Sequence, residues 1–76
     1  MNKERRMKLV EAESLLDRAK DIVEDVQSEE EDVLSNLEEN FSGTDRYAQI
    51  ESNVENLQEL QDTIDEAIDQ IQSIED

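Results

Sequence analysis

The stretch ENFSGTDRY, residues 39–47, contains the only glycine of the chain and both of its aromatic residues. The remaining 67 positions hold mainly Glu, Asp, Gln, Ser and aliphatic residues. Gly43 tolerates the positive φ at which many helices end, and Thr44, followed by Asp45, is a favourable N-cap for a new helix. Ser42 and Asp45 offer an alternative cap of the S-x-x-D type. The stretch therefore predicts a turn between two helices.

Each predicted helix is long, because the rest of the chain contains no proline or glycine to interrupt it. We expect the first helix at about residues 3–38, the turn at about 39–43 and the second helix at about 44–75. Phe41 and Tyr47 are expected to fill the end of the hairpin, where the two backbones diverge.

Apolar residues recur at alternating spacings of three and four in both halves of the chain, which indicates helices that bury one face. Glu30 interrupts the first stripe and Gln61 the second, each at heptad position a, where polar residues commonly fix register. The residues expected to form the core or a dimer contact are Leu9, Leu16, Val23, Val26, Val33, Leu37, Tyr47, Ile50, Val54, Leu57, Ile64, Ile68 and Ile71.

Further apolar residues widen these stripes at heptad position g, namely Leu15 and Ile22 in the first half and Leu60, Ala67 and Ile74 in the second. Stripes of this width are typical of four-helix bundles rather than of an isolated helix pair. The predicted fold is thus all-α: an antiparallel, coiled-coil-like hairpin that dimerises into a four-helix bundle. The stripes leave open whether the two hairpins pack parallel or antiparallel.

The charge of the chain is unevenly distributed along its length. The formal net charge is −16, yet residues 1–20 carry six basic and four acidic residues, whereas residues 21–76 carry nineteen acidic residues and one basic. In an antiparallel hairpin the basic start lies beside the acidic end at Asp69, Glu75 and Asp76, so we expect the two to neutralise each other. Such an acidic composition can signal disorder, but the regular apolar spacing argues for a folded chain.

The composition excludes several classes of site. The chain has no Cys and no His, so it lacks thiolate chemistry and the commonest general base and zinc ligand. A partial EF-hand pattern at residues 40–51 has Asp45 where the loop needs glycine. The sequence predicts no enzyme, no cofactor and no metal site. It contains neither a membrane span nor a signal peptide, so we expect a cytoplasmic location.

The acidic residues suggest a mimic of nucleic acid. Nineteen carboxylates per chain, doubled in a dimer about 50 Å long, give one charge per about 1.3 Å, close to the roughly 1.7 Å of duplex DNA. Residues 21–76 also lack Lys, which exposed helices commonly use to balance Glu. The residues expected to bind a partner are Glu24, Asp25, Glu29, Glu30, Glu31, Asp32, Glu55, Glu59, Asp62, Asp65, Glu66 and Asp69.

The segment ENFSGTDRYAQIE resembles the turn of small acidic proteins encoded by phages and integrated elements of Gram-positive bacteria. Their pattern is Asn-x-x-Gly-Ser/Thr-acid-Arg-Tyr, between a Glu-rich first helix and an acidic second helix. Glu38 stands where these proteins often have a proline, so the first helix is expected to run further here. The matching residues are Asn40, Gly43, Thr44, Asp45, Arg46 and Tyr47. The family has no settled activity, but it implies a phage or mobile-element origin, where small acidic proteins often inhibit host machinery.

These observations lead to one functional hypothesis and two alternatives. The first is a non-enzymatic, homodimeric inhibitor whose acidic faces bind a basic, nucleic-acid-binding host protein and which binds neither nucleic acid nor membrane. The second is a structural module that pairs through its apolar stripe with itself or with a partner helix. The third is a buffer of divalent ions.

Overall fold

The computed structural model describes residues 1–41 and 45–75, without the side chains of residues 38–41. It contains two helices, α1 (Lys3–Phe41) and α2 (Asp45–Glu75), which pack against each other as a hairpin. The backbone measures 58 × 15 × 13 Å along its principal axes. The prediction of an all-α helical hairpin is confirmed.

Asn2 caps the start of α1. Its side-chain Oδ1 accepts a hydrogen bond of 2.8 Å from the backbone N–H of Arg5, and its carbonyl accepts one of 3.1 Å from Arg6. An Asn in this place satisfies amide groups that have no partner within the helix. The helix then runs to Phe41, three residues beyond the predicted end at residue 38.

The longer α1 has a simple cause, because the chain offers no glycine or proline before Gly43. Helix α2 begins at Asp45, whose carboxylate lies in the first turn, where the helix dipole favours negative charge. The predicted caps at Ser42, Gly43 and Thr44 lie outside the described residues, as does the predicted packing of the Phe41 side chain.

The core is a narrow strip between the two helices. Its most buried apolar residues are Ile50, Ile64 and Ile68, all on α2, and the other predicted core residues are half-buried with one exception. That exception is Val26, which is 41% exposed. Val26, predicted to form the core or a dimer contact, lies outside the core of the single hairpin because the face that α1 presents to α2 is shifted toward its e positions, where Gln27 is half-buried.

The two polar residues within the stripes are held by hydrogen bonds between the helices. Gln61, only 6% exposed, donates through Nε2 to Oε1 of Gln27, and Nε2 of Gln27 donates to Oε1 of Gln58 at 3.2 Å. Oε2 of Glu30 accepts from Nδ2 of Asn53 at 3.2 Å. Since buried amides must find partners, these bonds favour one register over shifted alternatives.

Candidate protein-interaction faces

Three contacts at e positions define one side of the hairpin, which we call the polar edge. They join Glu13 to Gln72, Lys20 to Asp65 and Gln27 to Gln58. Each contact lies seven residues further along α1 and seven residues back along α2, which is the pattern of an antiparallel heptad register.

The Lys20–Asp65 contact is an ion pair with 2.7 Å between Nζ and Oδ1. The hydrogen bond from Lys20 to Asp65 raises the pKa of the Lys20 ammonium above 10.5, and the charges of Glu24 and Asp17 act in the same direction. This pair lies near the middle of the hairpin's length. The sequence had instead predicted neutralisation at the end of the hairpin, between the basic start and the acidic end of the chain. Asp76, part of that prediction, lies outside the described residues.

Carboxylates flank the polar edge in two rows. Residues three or four positions from an e residue share its face of a helix, which places Glu24 and Glu31 on the α1 side of this edge. The same spacing places three predicted residues on the α2 side: Glu55, Asp62 and Asp69. The heptad register sets Glu24 level with Asp62 and Glu31 level with Glu55, so acidic residues face each other in rungs.

Of the remaining predicted binding residues, Asp65 lies at this edge and the others do not. Glu59 and Glu66, at f positions, lie on the face of α2 that points away from α1. Asp25, Glu29 and Asp32, at c and g positions, lie on the side of α1 opposite the polar edge. Two of the twelve make bonds between the helices: Asp65 with Lys20, and Glu30 with Asn53. Asp62 accepts a bond from its own helix at Gln58 and is exposed, as are the other nine.

The opposite side of the hairpin, which we call the apolar edge, carries exposed aliphatic side chains. Its residues are Leu15, Ile22 and Val26 of α1 with Leu60, Ala67 and Ile74 of α2, and all except Ala67 are exposed. Lys8 and Ile74, both at g positions, line one groove, which places the g positions of the two helices on the same edge. One groove, of about 380 Å³, is lined by Val26 together with Asn53 and Leu60. Another groove, of about 360 Å³, is lined by residues that include Lys8 and Ile74.

Helix α2 carries no acidic residue on its side of the apolar edge. Nine acidic residues lie in α2, and all of them occupy heptad positions a, b, e and f. Positions c and g hold only neutral residues and one arginine. They are Arg46, Gln49, Asn53, Asn56, Leu60, Thr63, Ala67, Gln70 and Ile74. An acidic surface that approaches this strip therefore meets no carboxylate of α2.

Other kinds of site have no counterpart in the described part of the chain. There, no group of acidic side chains converges closely enough to hold a metal ion. Within residues 1–41 and 45–75, neither helix has a segment long and apolar enough to cross a lipid bilayer.

No protein-family model matches the chain, and comparison with curated proteins and with solved structures finds no significant similarity. The resemblance to small phage proteins therefore stays a prediction that rests on the residues of the turn. The arrangement of the two edges is what the structure adds. Sequence reasoning missed the e positions Lys20 and Gln27, although their spacing of seven is visible in the sequence.

Proposed function

We propose that the protein is a non-enzymatic inhibitor that binds a basic, nucleic-acid-binding host protein as an acidic mimic. The supporting observation is the spacing of its charge: sixteen net negative charges along 58 Å amount to one per about 3.6 Å. A single strand of DNA has one phosphate per about 3.4 Å and a duplex one charge per about 1.7 Å. One hairpin thus resembles a single strand, and two side by side approach a duplex.

The polar edge is the part of the surface best suited to this role. Its rows of carboxylates are carried by two packed helices, so their spacing is fixed before binding, which lowers the entropy lost on association. A basic groove that normally releases counterions from phosphates would release them in the same way from these rows. The resemblance of the turn to phage and mobile-element proteins suggests a host defence protein as the target.

The test begins with capture of host proteins on the immobilised hairpin and elution along a salt gradient. A captured protein that binds nucleic acid is then mixed with a labelled oligonucleotide, and fluorescence anisotropy measures its displacement by the hairpin. We expect competitive displacement that weakens steeply as salt rises.

A pair of matched variants separates the polar edge from net charge. The first combines Glu24→Gln, Glu31→Gln and Asp69→Asn on the polar edge. The control combines Glu4→Gln, Glu11→Gln and Asp21→Asn elsewhere on α1, with the same change in net charge. The first should weaken competition and reduce the slope of log K against log salt by about 2, as expected for three lost single-strand phosphate contacts. Equal inhibition by the first variant and the wild type would refute the proposal.

A second candidate function, an assembly module, is favoured by the exposed aliphatic side chains of the apolar edge. Contiguous apolar surface on a small protein commonly marks an interaction site. Substituting acidic residues on the polar edge would then leave function intact, whereas a charge introduced at the apolar edge would abolish it.

A further inference from the structure

The single hairpin exposes more surface than a compact protein of its size. Its accessible surface is 5773 Å², whereas a folded monomer of 8.8 kDa typically exposes about 4,800 Å². The excess of about 1,000 Å² is similar to the roughly 800 Å² that each partner buries in a standard protein interface. The chain also lacks disulfides to reinforce so thin a core.

Five of the eight large apolar side chains that are exposed in the described residues lie on the apolar edge. Ile22 is 57% exposed there, and Leu15, Leu60 and Ile74 are similarly exposed. The nearby strip of α2 carries no acidic residue, as described above. A second layer of helices against this edge would cover these side chains and leave the carboxylate rows of the polar edge in solvent.

The order of residues along α1 points to a second copy of the chain as the partner. The g positions are occupied in turn by Lys8, Leu15, Ile22 and Glu29. A two-fold axis perpendicular to the helix and level with residues 18 and 19 would set Leu15 against Ile22 of the second copy. The same axis sets Lys8 against Glu29 of the second copy, so each interface contains two oppositely charged pairs.

Helix α2 leads to the same axis independently. Its g positions are Asn53, Leu60, Ala67 and Ile74, and the axis that sets Leu60 against Ala67 is level with residues 63 and 64. Lys8 and Ile74 line one groove, so they lie at about the same level of the hairpin. Ten residues inward from that pair, on each helix, lie residues 18 and 64. One axis therefore serves both helices and sets a large side chain against a small one on α2.

Charge along the rod favours this head-to-tail arrangement over one with the turns together. The half of the hairpin near the turn, residues 21–64, has fourteen acidic residues and one basic, whereas the rest has nine acidic and six basic. Stacking the turn halves on each other would place the strongest like charges together. Reversing one hairpin places each turn half against the less acidic half of the other.

We propose that two copies of this chain pack through their apolar edges, head to tail, to form a four-helix bundle. In this dimer α1 lies antiparallel to α1 of the second copy, and α2 to α2. The inference does not depend on the acidic mimicry, which concerns the polar edge. Inhibition assays test the acidic mimicry and measurements of molecular mass test the dimer, so either proposal can be refuted without the other.

Sedimentation equilibrium on the full chain tests the dimer. The wild type should reach twice the chain mass of 8.8 kDa. Ile22→Asp should raise the dimer Kd at least about a hundred-fold, because the two-fold axis places the substitution twice in the interface. Val10→Asp is the matched control, since Val10 is 54% exposed but lies away from the apolar edge. A monomeric wild type, or equal weakening by the two variants, would overturn the proposal.

Disulfide cross-linking tests the orientation and stays informative if Ile22→Asp fails to fold. The natural chain has no Cys, so each engineered thiol is unique. A mixture of Lys8→Cys and Glu29→Cys chains should oxidise to a covalent dimer, whereas each alone should not. Cross-linking of Lys8→Cys to Ile74→Cys chains instead would indicate hairpins with their turns together and overturn the head-to-tail arrangement.

Discussion

The polar and apolar edges flank the same core, one at the e positions of both helices and the other at the g positions. On the polar edge, Lys20 bonds to Asp65 and Gln27 to Gln58, so polar groups of the two helices satisfy each other. On the apolar edge, Leu15 and Ile22 remain exposed beside the core. The difference separates an edge whose hydrogen bonds fix the register of the two helices from an edge whose aliphatic side chains are left exposed.

The largest expected effect concerns the core that the two edges share. Ile64→Ala should destabilise the hairpin by about 2–4 kcal/mol, because it removes a buried aliphatic side chain and leaves a cavity. Urea or thermal unfolding followed by circular dichroism measures this change. Val10→Ala, at an exposed position, should change stability by less than about 0.5 kcal/mol. Equal losses in the two variants would contradict the assignment of the core.

The next effect concerns the hydrogen bonds of the polar edge. Gln27→Ala should cost about 1–2 kcal/mol, because it leaves the buried amide of Gln61 without its partner. Gln72→Ala, at an equivalent e position whose bond to Glu13 is exposed, should cost much less. Chemical denaturation of both variants makes the comparison. A Gln72→Ala variant that loses as much as Gln27→Ala would show that burial does not distinguish these amides.

A smaller effect separates the two edges by their response to salt. Each chain carries a formal charge of −16, so dimerisation through the apolar edge should strengthen several-fold as salt screens the repulsion. Binding of a basic partner to the polar edge should weaken over the same range. Sedimentation and anisotropy measured in one salt series compare the two trends. Parallel trends would contradict the assignment of charge repulsion to the dimer contact and of charge attraction to the contact with the basic partner.

The smallest effect is the pH dependence of the Lys20–Asp65 pair. The pKa of Lys20 is higher in the folded chain than its ordinary 10.5, so the pair stabilises the fold fully below that pH. Its contribution is lost as the pH rises through the raised pKa. Thermal unfolding should show Lys20→Met less stable than the wild type below pH 10.5, with the difference shrinking above it. Asp65→Asn should follow the same course, and a difference that persists at higher pH would refute the assignment.

The helices could be predicted from the sequence because apolar residues recur with a helical period on either side of Gly43. Most core residues followed from the same period, whereas Val26, which belongs to the same stripe, is exposed in the single hairpin. The rotation of α1 about its axis depends on which polar side chains, such as Gln27, find partners across the hairpin. This rotation depends on contacts between the two helices, so the spacing of apolar residues along one helix does not predict it.

In the candidate site, too, some features follow from one helix alone and others depend on how the two helices are paired. The exposure of Glu24 and Glu31 follows from their distance from the apolar stripe. Their place opposite acidic residues of α2 depends on the register, which contacts such as Lys20–Asp65 fix. The end of α1 differed from its predicted position because Asn and Glu are compatible with a helix when no glycine or proline stops it. Fold class was thus accessible from the sequence, and the distribution of charge over two edges was not.

The contacts Glu13–Gln72, Lys20–Asp65 and Gln27–Gln58 repeat every seven residues. The hairpin could therefore be shortened or lengthened by whole heptads without losing this pairing. Removing one heptad from each helix at the same level would shorten the molecule by about 10.5 Å. The rungs on either side of the cut would still meet. Removing a heptad from one helix alone would displace every later rung by one step. Relatives of different length would accordingly be expected to gain or lose such paired segments together.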